Sequence, residues 1–264
     1  MRYAVISDLH ACAEALRAVL ERADAEAVDR IVCTGDLVGY YTDPDECLQL
    51  LRARQAICIA GNHDRMTTGQ RPFRCNEWGL RAIHWTRRRM SQEDLEWLAR
   101  LPLTEVIDEQ FLLVHASLHP EPNDDNYLFT AAQAAPTFDR LRTDWPHLKL
   151  CFFGHTHHPV IYRWQDGELT PLPPEHQRLD AQAHYLINPG SVGQSRDQDV
   201  RASFVIFDSD DRSVRFFRVA FDVAARDRKA QRVGLLHRES LFRRASRFLY
   251  RLARTGRKLI RRTY

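Results

Sequence analysis

His155 and His157 stand two apart in "CFFGHTHHP" (151–159), behind an apolar run and ahead of a proline. A similar spacing joins Asp8 to His10 in "ISDLHA". Asp36 in "TGDLVG", Asn62 in "AGNHD" and His115 in "LVHAS" complete seven oxygen and nitrogen donors at five places in the chain. On an extended segment side chains two apart share a side, so each spaced pair can face one site, and His158 falls out of phase. Two carboxylates and no thiolate suit borderline or hard divalent ions, namely Mn, Fe, Zn or Ni. Seven donors are too many for one open catalytic ion, but they fit two ions about 3.5–4 Å apart that share a carboxylate. Any single fragment reads equally well as a turn or a satisfied strand-edge pair, and only the ordered set carries the metal reading.

Each of the five places follows a segment that reads as a strand. "YAVIS" (3–7), "RIVCT" (30–34), "AICIA" (56–60) and "LKLCFFG" (148–154) are short, apolar and rich in β-branched residues, and "EVIDEQFLLVHAS" (105–117) reads as a hairpin. Helical spacing runs over 13–25, where Leu16, Val19 and Leu20 share a face, and over 43–55 and 76–100. The last is broken once, where Ser91 and Asp94 are placed as in a capping box. Past "HPVIYRW" come a Pro-rich loop at 171–174, "HYLINPGSVG", and an antiparallel hairpin of "ASFVIFD" and "SVRFFRVAFD". This alternation predicts an α/β protein with its ligands at the carboxyl ends of strands. The glycines before Asp36, Asn62 and His155 are expected to let the backbone turn sharply beneath the ions.

The 264 residues, 44% hydrophobic and 28% charged, predict one large domain or one domain with an appendage. No apolar stretch approaches the ~20 residues of a membrane span. "MRYAVISDLH" lacks the zones of a signal peptide, so a cytoplasmic location is the default expectation. Six cysteines without a C-x-x-C pair exclude a disulfide scaffold or zinc finger. From Arg226 onward the chain carries 14 Lys/Arg against 2 Asp/Glu, leaving 24 against 33 before it. The expected division is therefore a domain over 1–223 and a basic helical extension over 224–264. Within the extension, Leu241, Ala245, Phe248, Leu249, Leu252 and Leu259 recur at helical spacing. Such a helix either docks on the acidic body or binds an anionic surface, membrane or nucleic acid. Nothing in the sequence bears on oligomeric state.

The series "DLH", "GDLVG", "GNHD", "VHAS", "GHTH" resembles the calcineurin-like metallophosphoesterase superfamily, especially its small prokaryotic phosphodiesterase-type members. "GDLVGYYTDPDECLQLL", "AIHWTRRRMSQEDLEWLARLP" and "INPGSVGQSRD" extend the resemblance to one subgroup, over Met1 to about Val223. The resemblance implies a four-layer αββα sandwich of two mixed β-sheets flanked by helices. It implies that Asp8, His10, Asp36 and His157 hold one ion, and that Asp36 bridges to a second ion completed by Asn62, His115 and His155. Manganese comes first among the candidate ions. His63 matches the family's usual general acid, with Asp64 expected to orient its ring.

Arg65 is expected to steady a phosphate, within one of two long polar loops (63–74 and 117–130) that carry specificity. "NPGSVG" is expected to turn Ser191 toward the site rim. The expected reaction is hydrolysis of a phosphodiester, a small nucleotide or cyclic phosphate, by in-line attack of a hydroxide held between the ions. The alternatives are a phosphomonoesterase or dinucleoside polyphosphate hydrolase, a nuclease recruited by the basic tail, and a non-catalytic scaffold of the same fold. Two departures from the family bear on this. Gly39-Tyr40-Tyr41 replaces the acidic residue and arginine of the protein phosphatases, which argues against a phosphoprotein substrate. Ala11-Cys12 replaces Gly-Asn, so Cys12 is either a low-pKa thiol at a helix start or a small packing residue.

Overall fold

Strand β1 (Arg2–Ile6) buries both of its faces, which is why its sequence is a continuous apolar run. Tyr3 and Val5 enter one core, Ala4 and Ile6 another. The same division recurs along the chain and defines the layers. The structure, a computed structural model, describes residues 1–122 and 125–236; the tail beyond 236, with its expected amphipathic helix, lies outside the described residues.

After β1 come α1 (Ala13–Ala25), β2 (Arg30–Cys33), α2 (Pro44–Ala53) and β3 (Ile57–Cys58). Three helices come next: α3 (Asn62–Thr68), α4 (Glu77–Arg89) and α5 (Gln92–Ala99). The second half runs β4 (Thr104–Ile107), β5 (Phe111–Val114), α6 (Ala131–Asp144), β6 (Leu150–Phe152), β7 (Val160–Gln165), β8 (Glu168–Leu172), β9 (Gln177–Arg178) and β10 (His184–Asn188). It ends with β11 (Ala202–Asp208), β12 (Ser213–Val219) and α7 (Val223–Arg232). Two six-stranded mixed sheets result, ordered β3-β2-β1-β11-β12-β9 and β4-β5-β6-β10-β7-β8. β1, β2 and β3 are parallel, with Ile6 beside Cys33 and Cys33 beside Cys58, so their carboxyl ends share one edge. β5, β6 and β10 are likewise parallel, with Leu113 beside Phe152 and Phe152 beside Ile187.

Tyr3, Val5, Val205 and Phe207 of the first sheet meet Phe111, Phe152 and Ile187 of the second to form the central core. Leu16, Val19, Leu20 and Ala23 of α1 cover the outer face of the first sheet at i, i+3, i+4 and i+7. Phe138 and Leu141 of α6 cover Leu112, Cys151 and Phe153 on the outer face of the second. The αββα sandwich is thus the observed fold. Leu16→Ala would cost about 2–5 kcal/mol, as for other buried leucines.

Ser91 caps α5, accepting from the Asp94 N–H, so the break expected within 76–100 is there. Two stretches differ from expectation. Residues 168–172 form β8 despite Pro171, because β8 is a sheet edge with no further ladder to supply. Residues 63–68, the first half of the polar loop expected over 63–74, belong to α3. The division at 223/224 falls at the start of α7, which is fastened to the body: Lys229 Nζ reaches Glu14 and Asp43 at 2.7 and 2.8 Å, and Leu235 and Leu236 beyond it are buried. Among the described residues no helix is long and apolar enough to cross a membrane. All six thiols are free. Cys12 is fully buried and burial pushes it up to about 12, so the packing role holds and the low-pKa thiol does not.

Candidate metal centre and active-site pocket

The carboxyl ends of the parallel strands deliver the seven donors to one place. Five of them, Asp8, His10, Asp36, His155 and His157, have φ between 52° and 64°, a left-handed conformation that side chains other than glycine avoid. Such strain costs of order 1–3 kcal/mol per residue and gathers where function requires it. Gly35, ahead of Asp36, turns the chain in the left-handed region at φ 102°, whereas Gly61 and Gly154 act through closeness. A Cβ on Gly61 would lie 2.1 Å from Asp36 Oδ1, and one on Gly154 would lie 2.0 Å from Ser7 Oγ.

Asp8, His10, Asp36 and His157 bring their ligand atoms within 4.8 Å of one another. The other ring nitrogens are already used. His10 Nδ1 meets the Val38 carbonyl and His157 Nδ1 the Gln194 carbonyl, which assigns a proton to each Nδ1. Their Nε2 lone pairs then face each other across 3.2 Å. Asp8 Oδ1 lies 3.3 Å from His157 Nε2, and Asp36 Oδ2 lies 3.6 Å from His10 Nε2. Four acceptors converge here, an arrangement that is repulsive until a cation joins it. The residues therefore fit a metal ion.

The remaining donors gather on the far side of Asp36. Asn62 Oδ1 lies 3.0 Å from both His115 Nε2 and His155 Nδ1. Asp36 Oδ2 is 3.5 Å from His115 Nε2. His115 Nδ1 is fixed by the Thr34 carbonyl at 2.8 Å, which ties the second sheet to the first. Burial pushes His10, His157 and His155 down, the last to about 3, and pushes Asp8 up to about 6. Burial also opposes the charge on His115, yet the adjacent Asp36 carboxylate outweighs it and lifts His115 to about 10.

His63 lines the pocket above these donors. Its ring lies 4.8 Å from His10 and 4.7 Å from Tyr40, and its buried Nδ1 has no hydrogen-bond partner. Burial pushes it down while Asp36 pulls it up. Asp64 does not steady this ring as expected. Its carboxylate accepts the backbone N–H groups of Leu37, Val38 and Gly61 at 2.9, 3.1 and 2.9 Å, clamping the Asp36 loop to the start of α3. Arg65 is displaced too: it lines a neighbouring hollow with Gln70, Arg71 and Arg74, outside the metal pocket. Ser191 is buried beneath the site, where its hydroxyl donates to the Asp8 carbonyl. His158, half-buried, meets Phe129 edge-on.

The pocket, about 180 Å³, adds residues that the sequence reading missed: Tyr40, Arg74, Tyr127, Gln194 and Arg196. Arg196 donates to the His155 carbonyl at 3.3 Å and shares the pocket wall with Tyr127. It is delivered by the loop after β10, pinned to the exit of β1 by Val192 N–H to Ser7 O and Gly193 N–H to Asp8 O. "INPGSVGQSRD" stands out as a stretch, but only this tertiary fastening singles out its arginine.

A metallophosphoesterase from Sphaerobacter thermophilus, known from its crystal structure, is 38% identical with a TM-score of 0.75, covering 91% of this chain and 97% of that one. A hypothetical protein from Pyrococcus horikoshii OT3 shares the fold at 16% identity, with a TM-score of 0.73 over 89% of this chain and 94% of its own. An uncharacterized protein of Methanocaldococcus jannaschii is 37% identical over 227 residues, 83% of this chain and 88% of the relative. The description of the calcineurin-like phosphoesterase superfamily domain matches residues 1–212, the span that supplies every donor of the two clusters, and the chain belongs to that superfamily.

Proposed function

We propose that this chain is a phosphodiesterase that works with two divalent ions, manganese first among them. Asp8, His10, Asp36 and His157 hold one, and Asp36, Asn62, His115 and His155 the other. The observation that carries this reading is Asp36, whose Oδ2 lies 3.6 Å from His10 Nε2 and 3.5 Å from His115 Nε2, where a shared carboxylate belongs. Ions bound there would supply Lewis acidity toward the phosphoryl oxygens and the attacking water.

The chain's own residues do the rest. Arg196 and Arg74 offer guanidinium donors to the non-bridging oxygens. His63 holds a proton for the departing oxygen. Burial alone would strip that proton, but Asp36 opposes this, and a phosphate anion in the pocket adds to the opposing pull. Support for a diester comes from the pocket's neighbours. Arg74 is shared with the hollow of Arg65 and Arg71, and Tyr127 with a third hollow lined by Ser117, Asp125 and Gln133, so each side has room for an ester arm.

The test is a comparison of bis(p-nitrophenyl) phosphate with p-nitrophenyl phosphate on the Mn-loaded protein. The expected kcat/KM favours the diester about tenfold or more, and Asp36→Asn lowers both by roughly 10²–10³-fold. A faster monoester would move the assignment to a phosphomonoesterase.

A further inference from the structure

His155 is the first ring of a row that leads out of the metal pocket. Tyr127 lies over it with centroids 4.3 Å apart and 28° between the planes. Phe129 lies parallel to Tyr127, at 5.2 Å and 4°, and His158 meets Phe129 edge-on at 5.7 Å. Tyr127 is also a wall of the pocket, together with Arg196. Tyr127 is 40% exposed and Phe129 50%, among the few large apolar side chains left in solvent.

Exposed rings of this size normally gain by burial, about 1.5–3 kcal/mol for a phenylalanine. Here the backbone holds them out. Leu128, between them, is 2% exposed and its carbonyl accepts the Tyr162 hydroxyl. The Phe129 N–H donates to Gln133 Oε1 in the capping box of α6. The pair is therefore anchored on both sides and still leaves ring surface uncovered, with Tyr127 sharing the pocket of Arg74 and Arg196.

We propose that the Tyr127–Phe129 ledge stacks the flat ring of one ester arm, so that the substrates are phosphodiesters of nucleosides rather than of glycerol, simple sugars or peptides. This rests on the phosphodiesterase reading, to which it adds the substrate class. Stacking discriminates weakly among bases because each has a π face. Preference among the bases should therefore be small beside the preference for having a base.

The experiment titrates Mn-loaded protein calorimetrically with adenosine 5′-monophosphate and with ribose 5-phosphate, which differ by the base. It also measures kcat/KM for the methyl phosphodiesters of the two. The nucleotide is expected to bind about 10–100-fold more tightly. Phe129→Leu should shrink that ratio to about threefold, and Tyr127→Phe, which keeps the ring and loses the hydroxyl, should retain it. Equal binding by the wild type, or a ratio that survives Phe129→Leu combined with Tyr127→Leu, overturns the ledge. A base preference that vanishes with the rings, without hydrolysis of either methyl ester, upholds the ledge and sinks the phosphodiesterase reading. Hydrolysis of both esters at equal rates, with equal binding, does the reverse.

Discussion

His63 Nδ1 is buried without a hydrogen-bond partner, and a Cβ on Gly39 would stand 2.4 Å from it. A buried unpaired polar atom costs about 1–3 kcal/mol, and such groups persist where a catalytic role requires them. In the proposed reaction that role is protonation of the leaving oxygen. General-acid help is worth roughly 10²–10⁴-fold, and only where the leaving group needs a proton. His63→Asn should therefore cripple hydrolysis of a ribose or alkyl ester and cost far less with a p-nitrophenyl ester, metal content being equal. Equal losses on both would assign His63 to phosphate positioning instead. His115 allows a second test. Asp36 lifts it to about 10 in the metal-free protein, so it is charged at neutral pH, whereas a histidine ligand must be neutral. Loading at pH 7.5 should release about one proton from His115, and affinity should rise with pH up to about 10. Calorimetry in two buffers of different ionisation enthalpy reads this directly, and a heat independent of buffer contradicts it.

At the scale of elements, the five donor places were legible because their donors come one to five residues after a strand, and parallel strands then align their carboxyl ends. The stretch after Asn62 was not legible. Read as a loop, 63–74 left His63, Asp64 and Arg65 all near the metals. As the helix α3, with about 100° between successive residues, it sends Arg65 roughly 200° from His63 and Asp64 back under the Asp36 loop. α6 was not among the helices expected from spacing, and it carries Pro136 in its interior, which a helix disfavours. The closeness of the Asp36 and Asn62 loops is a tertiary fact as well, and it yields a prediction. Gly61→Ala places a Cβ 2.1 Å from Asp36 Oδ1 and 2.3 Å from its N, neither of which can move without moving the carboxylate proposed to be shared. The variant should fold, as far-UV circular dichroism would register, yet lose about half its bound metal and 10²-fold or more of its turnover. Gly167→Ala, with nothing within 4 Å of the new Cβ, should cost only the strain of its φ of 84°, about 1 kcal/mol. Full metal loading in the Gly61 variant would show that the two loops can part without harm.

At the scale of the molecule, two sheets meet at the edge where their parallel strands end, and α7 closes the structure from the side of the first. Arg226 lies over the Tyr41 ring at 4.4 Å, pairs with Asp227 at 2.8 Å and donates to the Gly193 carbonyl at 3.0 Å. Gly193 in turn donates to the Asp8 carbonyl, so α7 is two hydrogen bonds from a proposed metal ligand. Basic α7 on an acidic body agrees with the charge asymmetry of the sequence, but its hold on the site depends on contacts that no local pattern encodes. The described fold includes α7 and the buried Leu235 and Leu236 beyond it, and two truncations test what this part contributes. Ending the chain after Leu236 should leave turnover of a small ester within about twofold, because every placed donor and wall remains. Ending it after Val223 removes Ala230, Leu235 and Leu236 from the core and leaves Glu14 and Asp43 without Lys229. Losses of this kind sum to about 2–4 kcal/mol, or roughly 5–15 °C for a domain of this size, and metal affinity should weaken with the freed Gly193 loop. Arg226→Met, which keeps the stem and gives up the donor, should reproduce the metal defect with a smaller drop in melting temperature. If the chain ending at Leu236 stays folded and metal-loaded yet loses turnover, residues 237–264 complete the active site, and Tyr40, Arg74, Tyr127, Gln194 and Arg196 are not its full set of walls.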